Sequence, residues 1–139
     1  MKQLYLALAS LLALSACMPP ANNNTAGNGV NIPGASASAA DKERYFAAQL
    51  PILQARNPEA DAQAAIARGE RYFLCNAGRS NTLPGIEPDV YAQVRNHCPT
   101  RCLDGVTDAL YGPNHHRYLQ AALAYSTRWN QVILPTCNK

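Results

Sequence analysis

The sequence predicts an all-α domain, a four- to five-helix bundle stapled by disulfides and set behind a flexible tether. Apolar residues recur at spacings of three, four or seven along almost the whole chain beyond residue 40, the period of a helix with one buried face. No stretch alternates convincingly with period two. Cys75, Cys98, Cys102 and Cys137 supply an even number of thiols. The region that holds them, 41–139, is about 100 residues long, enough for one core and too short for two.

Each helix has its own signals. Asp41 is a candidate cap for a first helix through Tyr45, Phe46, Leu50 and Leu53, which Pro51 kinks or ends. Asn57-Pro58 opens a second: a capping side chain, then a proline whose missing N–H costs nothing at that position. Glu59 and Asp61 follow in the first turn, where negative charge is favoured. Ala62, Ile66, Phe73, Leu74 and Ala77 share a stripe that extends this helix to about Ala77. Gly69 inside it marks a candidate close approach between helices. Gly78 to Glu87, with Ser80-Asn81 and Pro84-Gly85, reads as a loop. Pro88-Asp89 starts a third helix with Tyr91, Val94 and Cys98 on one face, interrupted by Pro99. Thr100 is a candidate cap for a fourth, through Cys102, Val106 and Leu110, closed by Gly112-Pro113. The last and longest runs from about Asn114 to Leu134 with Tyr118, Ala122, Tyr125, Trp129, Val132 and Ile133 in register, and Pro135 stops it. Short connections make this a bundle.

The N-terminus carries an address. Lys2, a short apolar run from Leu4 to Leu14 and small residues before residue 17 are the parts of a secretory signal. The run is well short of the ~20 residues that span a bilayer. Leu14-Ser15-Ala16-Cys17 resembles the lipobox of bacterial lipoproteins. That resemblance implies a signal peptide over 1–16 and a diacylglycerol on Cys17, which becomes the acylated first residue of the mature chain. It also implies sorting to the outer membrane, on its periplasmic side or displayed at the surface, because Met18 and not Asp follows the cysteine. Several acyl chains anchor a protein almost permanently. Residues 17–40 then form a linker: Pro19-Pro20, Asn22-Asn23-Asn24, Gly27-Asn28-Gly29 and Pro33-Gly34 leave almost no large apolar side chains to offset ordering entropy. As a flexible coil it reaches roughly 25–30 Å.

In an exported small domain the four remaining cysteines read as a disulfide framework. Zinc binding, from Cys98-x-x-x-Cys102 beside His97, and free thiols are the alternatives. Of three possible connectivities, Cys98 with Cys102 closes a tiny loop and stabilises little. If the second and third helices form an antiparallel hairpin, Cys75 and Cys98 lie ~10 Å apart along its axis, beyond the ~7 Å limit for a bridge. This favours Cys75–Cys102 with Cys98–Cys137, each bridge adding roughly 2–4 kcal/mol.

No catalytic or metal-binding constellation stands out, and no cofactor is implied. His115 and His116 are neighbours, about 100° apart on a helix, so they do not face one metal. Glu87 and Asp89 flank Pro88, where capping explains them. Asp104 and Asp108, one turn apart, fit a solvated face or a cation. Without Lys2, eleven basic residues face nine acidic ones, a surplus too small to imply nucleic acid. Nine of those eleven are Arg, the cation preferred at protein interfaces; Arg68, Arg71, Arg79, Arg95 and Arg101 gather around the middle of the domain. Within the loop, Arg79, Leu83 and Ile86 are candidate partner-binding residues, with the apolar pair alternatively capping the bundle's end.

The layout of lipid anchor, tether and stapled helical domain is similar to that of pilotins, which escort secretin subunits, and of immunity lipoproteins, which block delivered toxins. The chain carries no motif of either. The expectation is an envelope lipoprotein that binds another envelope protein. The competing classes are a structural lipoprotein bridging membrane and cell wall, and a small peptidoglycan-active enzyme using Glu70 with His97 or an Asp.

Overall fold

The computed structural model describes residues 33–34, 36–75 and 82–138. Cys17, the signal segment, most of the linker and Arg79 lie outside them. The domain is mostly helical and carries both disulfides, but it is not purely α: two short strands pair in parallel.

Helix α1 (Ala39–Gln54) begins two residues before Asp41 because Ser38 is the cap. The Ser38 hydroxyl oxygen accepts from the Asp41 N–H at 3.1 Å, and the hydroxyl donates back to the Asp41 carboxylate at 2.7 Å, a reciprocal first-turn closure. That hydroxyl, and then the Arg44 guanidinium, hold the Asp41 carboxyl below its ordinary pKa. The helix continues through Pro51 to Gln54, so this proline neither ends nor bounds it.

Helix α2 (Pro58–Ala67) starts where the sequence places it, with the Asn57 side chain accepting from the N–H groups of Glu59 and Ala60. It ends ten residues sooner than its apolar stripe implies. Glu70 N–H bonds the Ala65 carbonyl and Gly69 N–H the Ile66 carbonyl, the paired closure of a Schellman motif. Gly69, at φ 79°, is therefore a helix stop; no described residue lies near enough to make it a close helix contact.

Past this stop the chain runs extended into β1 (Phe73–Leu74). Pro84-Gly85 then form the corner of a tight turn, closed by Ile86 N–H to the Leu83 carbonyl at 3.2 Å, with Gly85 at φ 75° as a type II turn requires. Helix α3 (Pro88–Val94) stops short of Cys98. The helix expected from Thr100 does not form. Thr100 and Arg101 instead make β2 (Thr100–Arg101), parallel to β1 with Phe73 opposite Thr100 and Leu74 opposite Arg101.

Helix α4 (Pro113–Ile133) is the backbone of the domain; α1, α2 and β1 all pack against it. Its buried stripe comprises His115, Tyr118, Ala122, Tyr125, Ser126, Trp129, Asn130 and Ile133. Gly112 has no side chain to cap it. The carboxylate of Glu43, on α1, accepts from the Asn114 and His115 N–H groups, both at 2.9 Å. Burial raises the Glu43 pKa, but these two donors outweigh it and the net shift is downward. A short 3-10 turn, Leu134–Thr136, follows and brings Cys137 into the core. Among the described residues no helix is long and apolar enough to cross a membrane.

Candidate functional site

The two disulfides are Cys75–Cys102 and Cys98–Cys137, with Cα separations of 4.9 and 5.7 Å. This is the favoured connectivity, reached from a helical hairpin that does not exist. The ladder supplies the actual reason. With Phe73 opposite Thr100, Cys75 falls opposite Cys102, and its N–H bonds the Arg101 carbonyl at 2.8 Å.

Asn130 pins that ladder to α4. Its side-chain oxygen accepts from Leu74 N–H at 2.7 Å, and its amide donates to the carbonyls of Leu74 and Pro84, both at 2.9 Å. Fully buried, it serves the outer edge of β1 and the turn at residues 83–86 together. Trp129 adds an indole N–H to the Tyr72 carbonyl at 2.9 Å. Helical spacing alone points to neither role, although a polar residue between Ser126 and Ile133 on an apolar helix face is a readable signal.

Leu83 and Ile86, expected as partner contacts, are buried to 5% and 7% exposure and belong to the core. The tight turn folds their side chains inward while Gly85 presses on α4: a Cβ there would meet Thr127 Cγ2 at 2.8 Å. As placed, they pack into the core of the domain. Arg79, the third candidate, lies outside the described residues.

The ionisable candidates are dispersed. His115 is buried between the rings of Phe46 and Tyr111; Nδ1 accepts from Tyr111 N–H at 3.2 Å and Nε2 lies 2.9 Å from the Gly105 carbonyl, to which it donates. Glu70 pairs with Arg68 at 3.2 Å, and His97 is exposed. Burial raises the Asp104 carboxyl above its usual range. Asp61 accepts from the Tyr125 hydroxyl at 2.6 Å, and Arg56 donates to the same hydroxyl at 2.7 Å, tying α2 to α4. Burial, and then this Asp61 contact, push the Tyr125 phenol strongly upward. Among the described residues no three His, Cys, Asp or Glu side chains gather to hold a metal.

Tyr118 gives a pH test. Burial, then nearby Tyr45 and Asp104, push its phenol from 10.0 up to about 12. Between those values the folded chain holds a proton that the unfolded chain releases, so stability must fall as pH rises. Alkaline unfolding is therefore expected to steepen above pH 10 in wild type and to lose part of that slope in Tyr118→Phe, followed by circular dichroism. An unchanged slope in the variant counts against this assignment.

Beside α4 the described residues form an open groove of ≈ 200 Å³. Leu119, Ala122 and Leu123 contribute from the helix, Val106 and Cys75 from the segments packed against it. His116 and Gln120, bonded to each other at 3.1 Å, and Ser126 are its polar members. No carboxylate lines it, and Leu123 is 47% exposed. Such a concavity offers apolar area to a partner without converging acid and base groups. Comparison of the chain with protein-family models, curated proteins and solved structures finds no match.

Proposed function

We propose that this chain is a lipoprotein, acylated at Cys17, held on the periplasmic side of an outer membrane, and that its helical domain binds another envelope protein. The observation that carries this is the apolar groove beside α4, with Leu123 left half in water. An apolar side chain in a concave site gains by being covered, at roughly 25 cal/mol per Å² removed from water. A role in binding rather than catalysis agrees with the dispersal of the ionisable groups. Escort of a secretion-system subunit and neutralisation of a toxin are two forms this binding could take, both matching the layout of anchor and stapled domain.

The test is photo-crosslinking in intact envelopes, with the reactive amino acid at residue 123 or at residue 63 on α2. A discrete adduct with one protein is expected from 123 and not from 63. No adduct from 123, or the same adducts from both, overturns the reading. Cys17→Ser is expected to release the protein from the membrane fraction; retention there removes the anchor from the proposal.

A further inference from the structure

Tyr72, just before β1, packs its ring on Trp129 at 4.9 Å between centroids, and the indole N–H holds the Tyr72 carbonyl. Over the Tyr72 ring lies the guanidinium of Arg101, 4.2 Å from the centroid. Arg56 and Arg68 also act electrostatically on Tyr72, but each has a carboxylate of its own, Asp61 at 3.1 Å and Glu70 at 3.2 Å. Arg101 is exposed and forms no ion pair among the described residues. It is a cation held on an aromatic ring, with no carboxylate paired to it among the described residues.

Stacking already restrains this side chain, so less freedom remains to be lost when a ligand arrives. A guanidinium spread on an aromatic face keeps its fork of N–H donors available for a carboxylate. Beside it, the Thr100 backbone has no hydrogen-bond partner among the described residues. Phe73 N–H bonds the Pro99 carbonyl and Cys75 N–H the Arg101 carbonyl. In a parallel ladder this alternation turns the N–H and C=O of Thr100 away from β1. An extended segment lying along β2 would meet that pair and place an acidic side chain against Arg101.

We propose that Tyr72, Arg101 and the outer edge of β2 dock an acidic, extended segment of the partner protein. The occupant follows from charge: among the described residues the patch carries one guanidinium without a paired carboxylate, mounted on the half-buried ring of Tyr72, an aromatic of the kind enriched at interfaces. The proposal rests on the protein-binding reading but not on the groove.

Trp129 is the only tryptophan, so its emission reports on Tyr72. Full-length protein in neutral detergent is titrated with an oligoglutamate peptide, an oligolysine peptide of equal length, and phosphatidylglycerol in mixed micelles of the same detergent. Oligoglutamate is expected to shift Trp129 emission saturably, and Arg101→Gln to weaken that binding about tenfold, the worth of one charged hydrogen-bonded contact. Arg101→Lys is expected to recover only part, and Arg95→Gln to match wild type. Should the Gln variant fail to fold, Arg101→Lys and Tyr72→Leu carry the comparison. Equal weakening by Arg95→Gln and Arg101→Gln, or no emission change, overturns the proposal. An Arg101-dependent response to phosphatidylglycerol alone also overturns it, assigning the patch to lipid. A null titration beside an intact crosslink from residue 123 removes the patch and leaves the protein-binding reading standing.

Discussion

Replacing Cys98 and Cys137 together with Ala is expected to destabilise the domain by about 4 kcal/mol, the chain-entropy value for a loop of this size. The bridge spans 39 residues of sequence, and both cysteines are buried, to 3% and 1% exposure. Domains of this size are stable by only about 5–15 kcal/mol, so the loss is a large share of the total. The same change at Cys75 and Cys102, which close 27 residues, costs nearly as much loop entropy. Packing decides the order. Cys102 is exposed and Cys75 only half-buried, whereas removing the inner pair also leaves a void against the end of α4. Urea unfolding of both double variants should place the Cys98/Cys137 midpoint lower. The reverse order would mean that the ladder, and not the C-terminal turn, is the weaker joint.

Asn130→Ala is the second large effect, expected at about 3 kcal/mol or more. Truncation strips Leu74 N–H of its acceptor and two carbonyls, of Leu74 and Pro84, of their donor. All lie where water does not readily replace the lost partner, and each orphan carries a desolvation penalty. Asn130→Asp separates donor from acceptor: it keeps the bond from Leu74 N–H but turns the two N–H···O=C contacts into oxygen facing oxygen. Both variants should therefore unfold at lower urea, with β1 and the turn at residues 83–86 losing amide protection first. Uniform loss of protection across all helices would show that Asn130 supports the core generally and does not pin the edge.

The first and last helices, and the start of the second, were legible because their signals are local. Asn57-Pro58 and the stripe from Tyr118 to Ile133 need no knowledge of the rest of the chain. The errors share one cause. Phe73 and Leu74 continue the apolar spacing of α2, and Cys102, Val106 and Leu110 imitate a helix, so periodicity alone could not separate them from strand or irregular chain. What decides is a stop at Gly69, a residue that in the sequence alone looks like any glycine inside a helix, and a pairing between segments 27 residues apart. A two-residue strand is too short to show period two. Leu83 and Ile86 suit either a partner contact or the bundle's end in the sequence, because the turn that folds them inward depends on α4, remote in sequence. Glu43 capping a helix 71 residues away has no local sign at all. The groove was likewise hidden, since Leu119 and Leu123 become its wall only once Val106 lies against them.

That so much converges on α4 also sets the order in which the chain can organise itself. Its tethers reach far back: Leu74 across 56 positions, Asp61 across 64, Glu43 across 72. Closing spans of that length makes folding slow relative to helices that meet only their neighbours. Chains are made N-terminus first, so α1, α2 and the ladder are all synthesised before the element that buries them. A nascent chain halted before residue 113 holds apolar stripes with no common surface to share. For a chain exported as proposed above, that delay is useful: thread-like passage through a translocation channel requires a chain that has not yet closed, and here closure waits for the arrival of one late helix.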